Sequence, residues 1–221
     1  MATFVTRTTR TGLRGTGRSR SRTQAAWRAL GALTAALAAL LAAPATLGDA
    51  APTSVEGCLA CAEPCDPAPC HQLALDLAAG GDYDRAIAIE EIVHARQPDN
   101  AQVAAALARM HHLGRKNTVR AIALYHAALG ASSGYPPALF GLGTIMREKG
   151  EIEIAARYFA RGVRERPDMP LFRVRLAEVL VDAGRGGEAR PLLEEIVRTW
   201  PDSDEARAAR RLMSRTALAT P

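Results

Sequence analysis

GEIEIAARYFARGVRERPDM (150–169) and GRGGEARPLLEEIVRTWPDS (184–203) lie over one another along their whole length, and GDYDRAIAIEEIVHARQPDN (81–100) lies over both. Each opens on Gly, carries a small Ala and an apolar stripe, and closes with a Pro-Asp pair. Ala155 to Ala189 is 34 residues, as is Pro167 to Pro201. Pro98 to Pro167 is 69, two such units plus one inserted residue. Self-similarity at this period marks a stacked helical array, in which no unit can bury its apolar face alone.

Outward from these segments, four helix–turn–helix units follow from residue 67: 67–100, 101–135, 136–169 and 170–203. In the first, Leu73, Ala74 and Leu77 share a helix face and Gly80-Gly81 makes the turn. Ala86, Ile89, Ile92 and Val93 continue at helical spacing, Pro98 stops the helix, and Asp99 or Asn100 can cap the next. The second unit is irregular. Leu107, Ala108 and Met110 mark its leading helix, and Ala121, Ile122, Leu124, Tyr125 and Ala128 the following one. Its turn, GRKNT (114–118), is one residue longer than the others, and it ends in GASSGYPP (130–137) where the others have Pro-Asp. The third begins with Pro137 in a first turn, where a missing donor is harmless. The fourth repeats the pattern with Leu176, Ala177, Leu180, Ala189, Leu193 and Ile196. Pro191 falls inside its second helix, which is therefore expected to start near Arg190 or to bend. A last helix over 203–215, within a capping segment 204–221, has Asp204 and Glu205 first and Arg210, Arg211 and Arg215 later, which complements the helix dipole.

The sets Leu73-Ala74, Gly81, Ala86, Pro98; Leu142-Gly143, Gly150, Ala155, Phe159, Pro167; and Leu176-Ala177, Gly184, Ala189, Leu193, Pro201 resemble the tetratricopeptide repeat family over 67–203. The first set departs from the pattern at Glu90, where an aromatic or aliphatic residue belongs. The second unit, running into GYPPALFGLG (134–143), resembles the Sel-like variant. The resemblance implies an all-α fold, a right-handed α-solenoid of about four repeats plus a C-terminal capping helix, whose first helices line a concave groove. Transferred by register, the inward residues are His71, Arg109, His112, Phe140, Thr144, Arg147, Glu148, Arg175, Glu178 and Asp182. The resemblance implies a protein partner there, as an extended peptide or a helix, and no cofactor. The lysine-and-asparagine clamp by which some relatives hold a C-terminal carboxylate is missing, because His71 and Leu75 stand at those places.

The formal charge of +5 is unevenly placed. Residues 1–48 carry seven arginines and no acid or lysine, and residues 49–221 hold 21 basic and 23 acidic groups. With the net positive charge confined to residues 1–48, outside the repeats, nucleic acid is not the expected partner. The Arg-rich start precedes an apolar run of 15 residues, ALGALTAALAALLAA (29–43), then Pro44 and small residues at Ala43–Ala45 and Gly48–Ala50. Residues 1–50 read as an export leader. Retained as a membrane anchor, or used as an organelle transit peptide, the same segment is the alternative. Removal would place the chain in the periplasm or outside the cell.

All four cysteines, Cys58, Cys61, Cys65 and Cys70, follow the leader, three of them in a linker at 51–66. An even count in an exported chain favours two structural disulfides, with three pairings open. The rival reading takes Cys58-x-x-Cys61 as part of a metal or thiol-exchange site presented to a client by the repeats. Enzyme chemistry finds little support. The histidines have no metalloprotease spacing and no phosphate-binding Gly loop is present. GASSG (130–134) has the letters of a nucleophile elbow around Ser132, but a helix precedes it where a strand is required. The acid pairs Glu90-Glu91 and Glu194-Glu195 recur in the repeat and are expected on a helix surface. The expected function is a non-catalytic scaffold or adaptor in a bacterial cell envelope.

Overall fold

The computed structural model describes residues 54–60 and 66–218. The leader over 1–50 and the cysteines Cys61 and Cys65 lie outside the described residues. The described residues form ten helices and no strand. A short α1 (Val55–Ala60) is followed by four hairpins: α2 (Ala68–Ala79) with α3 (Tyr83–Arg96), α4 (Ala101–Leu113) with α5 (Thr118–Ala131), α6 (Pro136–Glu148) with α7 (Ile152–Glu165), and α8 (Pro170–Asp182) with α9 (Gly186–Thr199). A final α10 (Asp204–Leu218) packs on the last hairpin. The fold is an α-solenoid of helix–turn–helix repeats.

Sequence dictates each hairpin locally. Gly81, Gly150 and Gly184 turn the chain at φ of +86°, +78° and +74°, which glycine adopts without steric penalty. The second hairpin lacks such a glycine. Lys116 takes φ +55° there, and the longer turn closes when the Asn117 N–H donates to the His111 carbonyl (2.9 Å). Helix starts are capped where a short polar side chain is available. Asp82 accepts from the Arg85 N–H, Asn117 from Arg120, and Asn100 from both Gln102 and Val103. Where none is available, as at α2, α6 and α8, proline occupies the first turn.

The small residues of the repeat set how closely helices approach. Ala86, Ala121, Ala155 and Ala189 are fully buried at equivalent places in the second helices. A Cβ added to Gly143 would come within 2.6 Å of the Phe159 ring, and one on Gly162 or Gly141 would overlap Phe172 or Tyr125. Aromatic rings thus fill the spaces that the glycines leave. The core runs along the stack in three linked clusters, from Cys58 to Ile145, around Phe159 and Phe172, and from Val174 to Leu212.

Three details correct the sequence reading. Of the two expectations for the helix containing Pro191, a start near Arg190 is overturned, because the helix starts at Gly186 and runs through the proline. The last helix begins at Asp204, capped by the Ser203 hydroxyl accepting from the Ala206 N–H (3.0 Å), and reaches Leu218. Glu90 is not on a surface: it is wholly buried in α3, at the place where Phe159 and Leu193 stand in later repeats. Glu194 is exposed and Glu195 is half-buried, paired with Arg173 (3.2 Å).

At the N-terminal end, Cys58 is disulfide-bonded to Cys70, with Cα atoms 5.6 Å apart. The bond ties α1 to α2, and both sulfur-bearing residues are buried with Val55 against the first hairpin.

Candidate functional site

The first helices α2, α4, α6 and α8 stand side by side, and a cavity of about 760 Å³ opens along their N-terminal halves. Residues spaced by three and four along each helix supply its wall: His71 and Leu75 from α2; Gln102, Ala105, Ala106 and Arg109 from α4; Pro136, Pro137 and Phe140 from α6; Leu171 and Phe172 from α8. The linking residues Tyr135, Arg166 and Met169 complete it, with Tyr125 reaching in from α5. The wall is mainly apolar and, among the described residues, contains no Asp or Glu.

The register-transferred groove residues fall into two groups. His71, Arg109 and Phe140 line the cavity. The others lie towards the C-terminal ends of the same helices and mostly satisfy one another. His112 Nε2 lies 2.7 Å from Glu148, joining α4 to α6. Arg147 bridges α6 to α8 through Asp182 (3.0 Å) and Glu178 (3.3 Å), and Arg175 joins Glu178 (2.8 Å). The Arg175 guanidinium also sits over the Phe140 ring, 5.4 Å from its centroid. Thr144 donates its hydroxyl to the Phe140 carbonyl of its own helix (2.9 Å). This polar strip binds unit to unit, whereas the apolar floor lies one or two turns away.

Register transfer misses most of that floor. Gln102, Ala105, Ala106, Pro136, Leu171 and Phe172 follow from the same spacing continued towards each helix's start. Tyr125 belongs to a second helix, and its ring enters only because Gly141 in the next repeat has no Cβ to block it.

The electrostatics are set by burial. Glu90 Oε1 and His71 Nδ1 share a hydrogen bond at 2.7 Å, while Oε2 has no partner, and burial pushes the carboxyl above its ordinary value despite the opposing imidazole. His71 Nε2 in turn meets the Gln102 side-chain amide at 3.2 Å. The buried acid therefore fixes an imidazole and an amide on the cavity wall. Burial pushes the Tyr125 phenol up to about 12, with the nearby Arg109 charge pulling the other way. His111, adjacent in sequence to His112, is buried, its Nε2 3.7 Å from Glu91, and burial lowers its pKa against the pull of that carboxylate. Ser132 stands between α5 and α6, not after a strand. No group of three or more His, Cys, Asp or Glu side chains with metal-site geometry occurs among the described residues. No described helix is long and apolar enough to cross a membrane.

A family model for the tetratricopeptide repeat matches residues 71–136 and 140–204, more than half of the chain. Among solved structures, a thermophilic TPR protein of Thermus thermophilus is similar at 20% identity and a TM-score of 0.59, over 68% of this chain and 83% of its own. The pilF protein of Pseudomonas aeruginosa is similar at 18% identity and 0.57, over 70% and 77%. YrrB, a TPR protein with an unusual peptide-binding site, is similar at 18% identity and 0.54, over 69% and 78%. At such identities the likeness concerns the fold alone. No curated protein shows significant sequence similarity.

Proposed function

The chain belongs to the tetratricopeptide repeat family, and from that premise we propose a non-catalytic adaptor of the bacterial cell envelope that holds a partner peptide or helix in its concave cavity. Members of the family are typically scaffolds that bind protein or peptide partners. The single observation that carries the reading is the acid-free, mainly apolar cavity contributed by four successive first helices. Its length across the repeats suits an extended segment better than a compact small molecule.

The address rests on sequence. Seven arginines and the apolar run at 29–43 support export, and a disulfide between Cys58 and Cys70 suits an oxidising compartment. Cleavage after Ala45 or Ala50 releases the repeats to the periplasm, and retention of the leader anchors them to the inner membrane. We also take the second unit as a Sel-like variant, on its longer turn and its Lys116 at positive φ.

The test is site-specific photo-crosslinking in living cells. A crosslinking residue at Ala106, half-buried on the cavity wall, is compared with one at Val119, which is 82% exposed and off the wall. A discrete adduct at Ala106 and none at Val119 is expected, recovered from the envelope fraction with the N-terminus shortened to about residue 46 or 51, or intact if anchored. Equal adducts at both positions, or none at Ala106, would overturn the groove. Recovery of the intact chain from the cytosol would overturn the address.

A further inference from the structure

The cavity wall carries one cation that no group among the described residues answers. Arg109 is exposed on α4, lines the cavity, and makes no ion pair or hydrogen bond among the described residues. The other basic groups on the wall are already engaged, His71 by Glu90 at 2.7 Å and Arg166 by Asp168 at 2.8 Å. A second unanswered group, Tyr125, lines the same cavity. Tyr125 is only 3% exposed, its ring is wedged over Gly141, and its hydroxyl makes no hydrogen bond to the described residues. The ring is buried but the hydroxyl opens on the cavity, where it is free to donate to an acceptor on a ligand.

A guanidinium and a hydroxyl donor on an apolar wall without acids are complementary to a carboxylate. A bound peptide that covers Arg109 would exclude water there and strengthen such charge-assisted bonds. The position of the pair decides the kind of carboxylate. Leu75 on α2 extends the apolar wall to one side of α4 in the stack, and Phe140, Met169 and Phe172 extend it to the other. A chain-terminal carboxylate at Arg109 would leave one of these stretches unfilled. We propose that the occupant is an extended peptide with an internal Asp or Glu, whose carboxylate is held by Arg109 and the Tyr125 hydroxyl, with large apolar side chains on both sides of it. The inference rests on the peptide-groove reading above. It places the anion site away from His71 and Leu75, the positions of the terminal-carboxylate clamp in some relatives.

The probe is a set of N-acetylated, C-amidated nonapeptide pools measured by fluorescence anisotropy against the purified protein. One pool carries central Asp with Leu, Ile, Phe or Tyr randomised on both sides. A second carries Asn at the centre, and a third has the Asn core with a free C-terminal carboxylate. The Asp pool is expected to bind about tenfold or more tightly than the Asn pool. That preference should vanish in Arg109→Gln and narrow in Tyr125→Phe, which keeps the ring on Gly141, with both variants unfolding at the wild-type midpoint. Equal binding of the Asp and Asn pools overturns the carboxylate and leaves the groove reading standing. Preference for the free C-terminus, or an Asp preference that survives Arg109→Gln, likewise overturns the inference alone. Failure of every pool while Ala106 still crosslinks a partner overturns the inference alone, and failure of both experiments overturns the groove itself.

Discussion

Charging a carboxylate out of reach of water costs free energy unless protein groups replace the water. Glu90 has half of that replacement, with one oxygen on His71 and the other on nothing. Its folded pKa lies above the ordinary 4.5, chiefly through burial, opposed by His71 and His94. The folded state therefore holds the proton more tightly than the unfolded chain. The stability this contributes is complete below about pH 4.5 and is lost as pH rises through the folded value. Glu90→Gln keeps an acceptor for His71 and removes the charge. Urea midpoints of variant and wild type should shift in favour of the variant between about pH 4 and pH 8, and a gap constant with pH would refute the account. A steric case stands at Gly162, whose missing Cβ makes room for Phe172. Gly162→Ala should cost about 1–3 kcal/mol in urea unfolding through overpacking, although alanine is intrinsically the better helix former.

At the scale of the helix, Pro191 is the anomaly. It sits in the second turn of α9, where it cannot donate to the Gly187 carbonyl and its ring crowds that same group. The helix survives because Ala189, Leu193 and Ile196 are fully buried against α8 and α10. Packing outweighs the local penalty. Pro191→Ala restores the donor on an exposed face and should stabilise the protein by about 1–3 kcal/mol, read as a higher urea midpoint. Elements of this kind were legible in the chain because glycine turns, buried alanines and terminal prolines recur with the period that stacks them. Glu90 was not, because a periodic reading places its acid with Glu194 on a surface, and only the neighbouring His71 makes burial tolerable. Tyr125 was hidden for a related reason. Its access to the cavity depends on Gly141 one repeat later, a contact across units that the spacing within a unit does not contain. His71, Arg109 and Phe140 were readable from inward register, but the same register gave no sign that Arg147, Glu178 and Asp182 are engaged with one another.

Across the whole array, each hairpin touches its neighbours and little else, so stability is a sum of local terms and interfaces, not one indivisible core. The ends are then the weak places, and the two ends are protected by different means. At the C-terminal end α10 covers the last hairpin with Ala206, Ala209 and Leu212, and it presents charge outward through Asp204 and Arg207. At the N-terminal end α1 has only six residues, too few to hold a helix by itself, and the covalent link from Cys58 to Cys70 supplies what its packing lacks. Closing a loop of 12 residues is worth about 2–4 kcal/mol through the unfolded ensemble. In a chain of nearest-neighbour units that loss should remain near where it is made. Amide exchange followed by mass spectrometry, with and without a phosphine reductant, therefore separates two pictures. Reduction should abolish protection in α1 and weaken it in α2 and α3, with α8 to α10 unchanged. An equal loss of protection through every helix would mean that the array unfolds as one cooperative body, and that the disulfide stabilises the whole stack and not its first repeat.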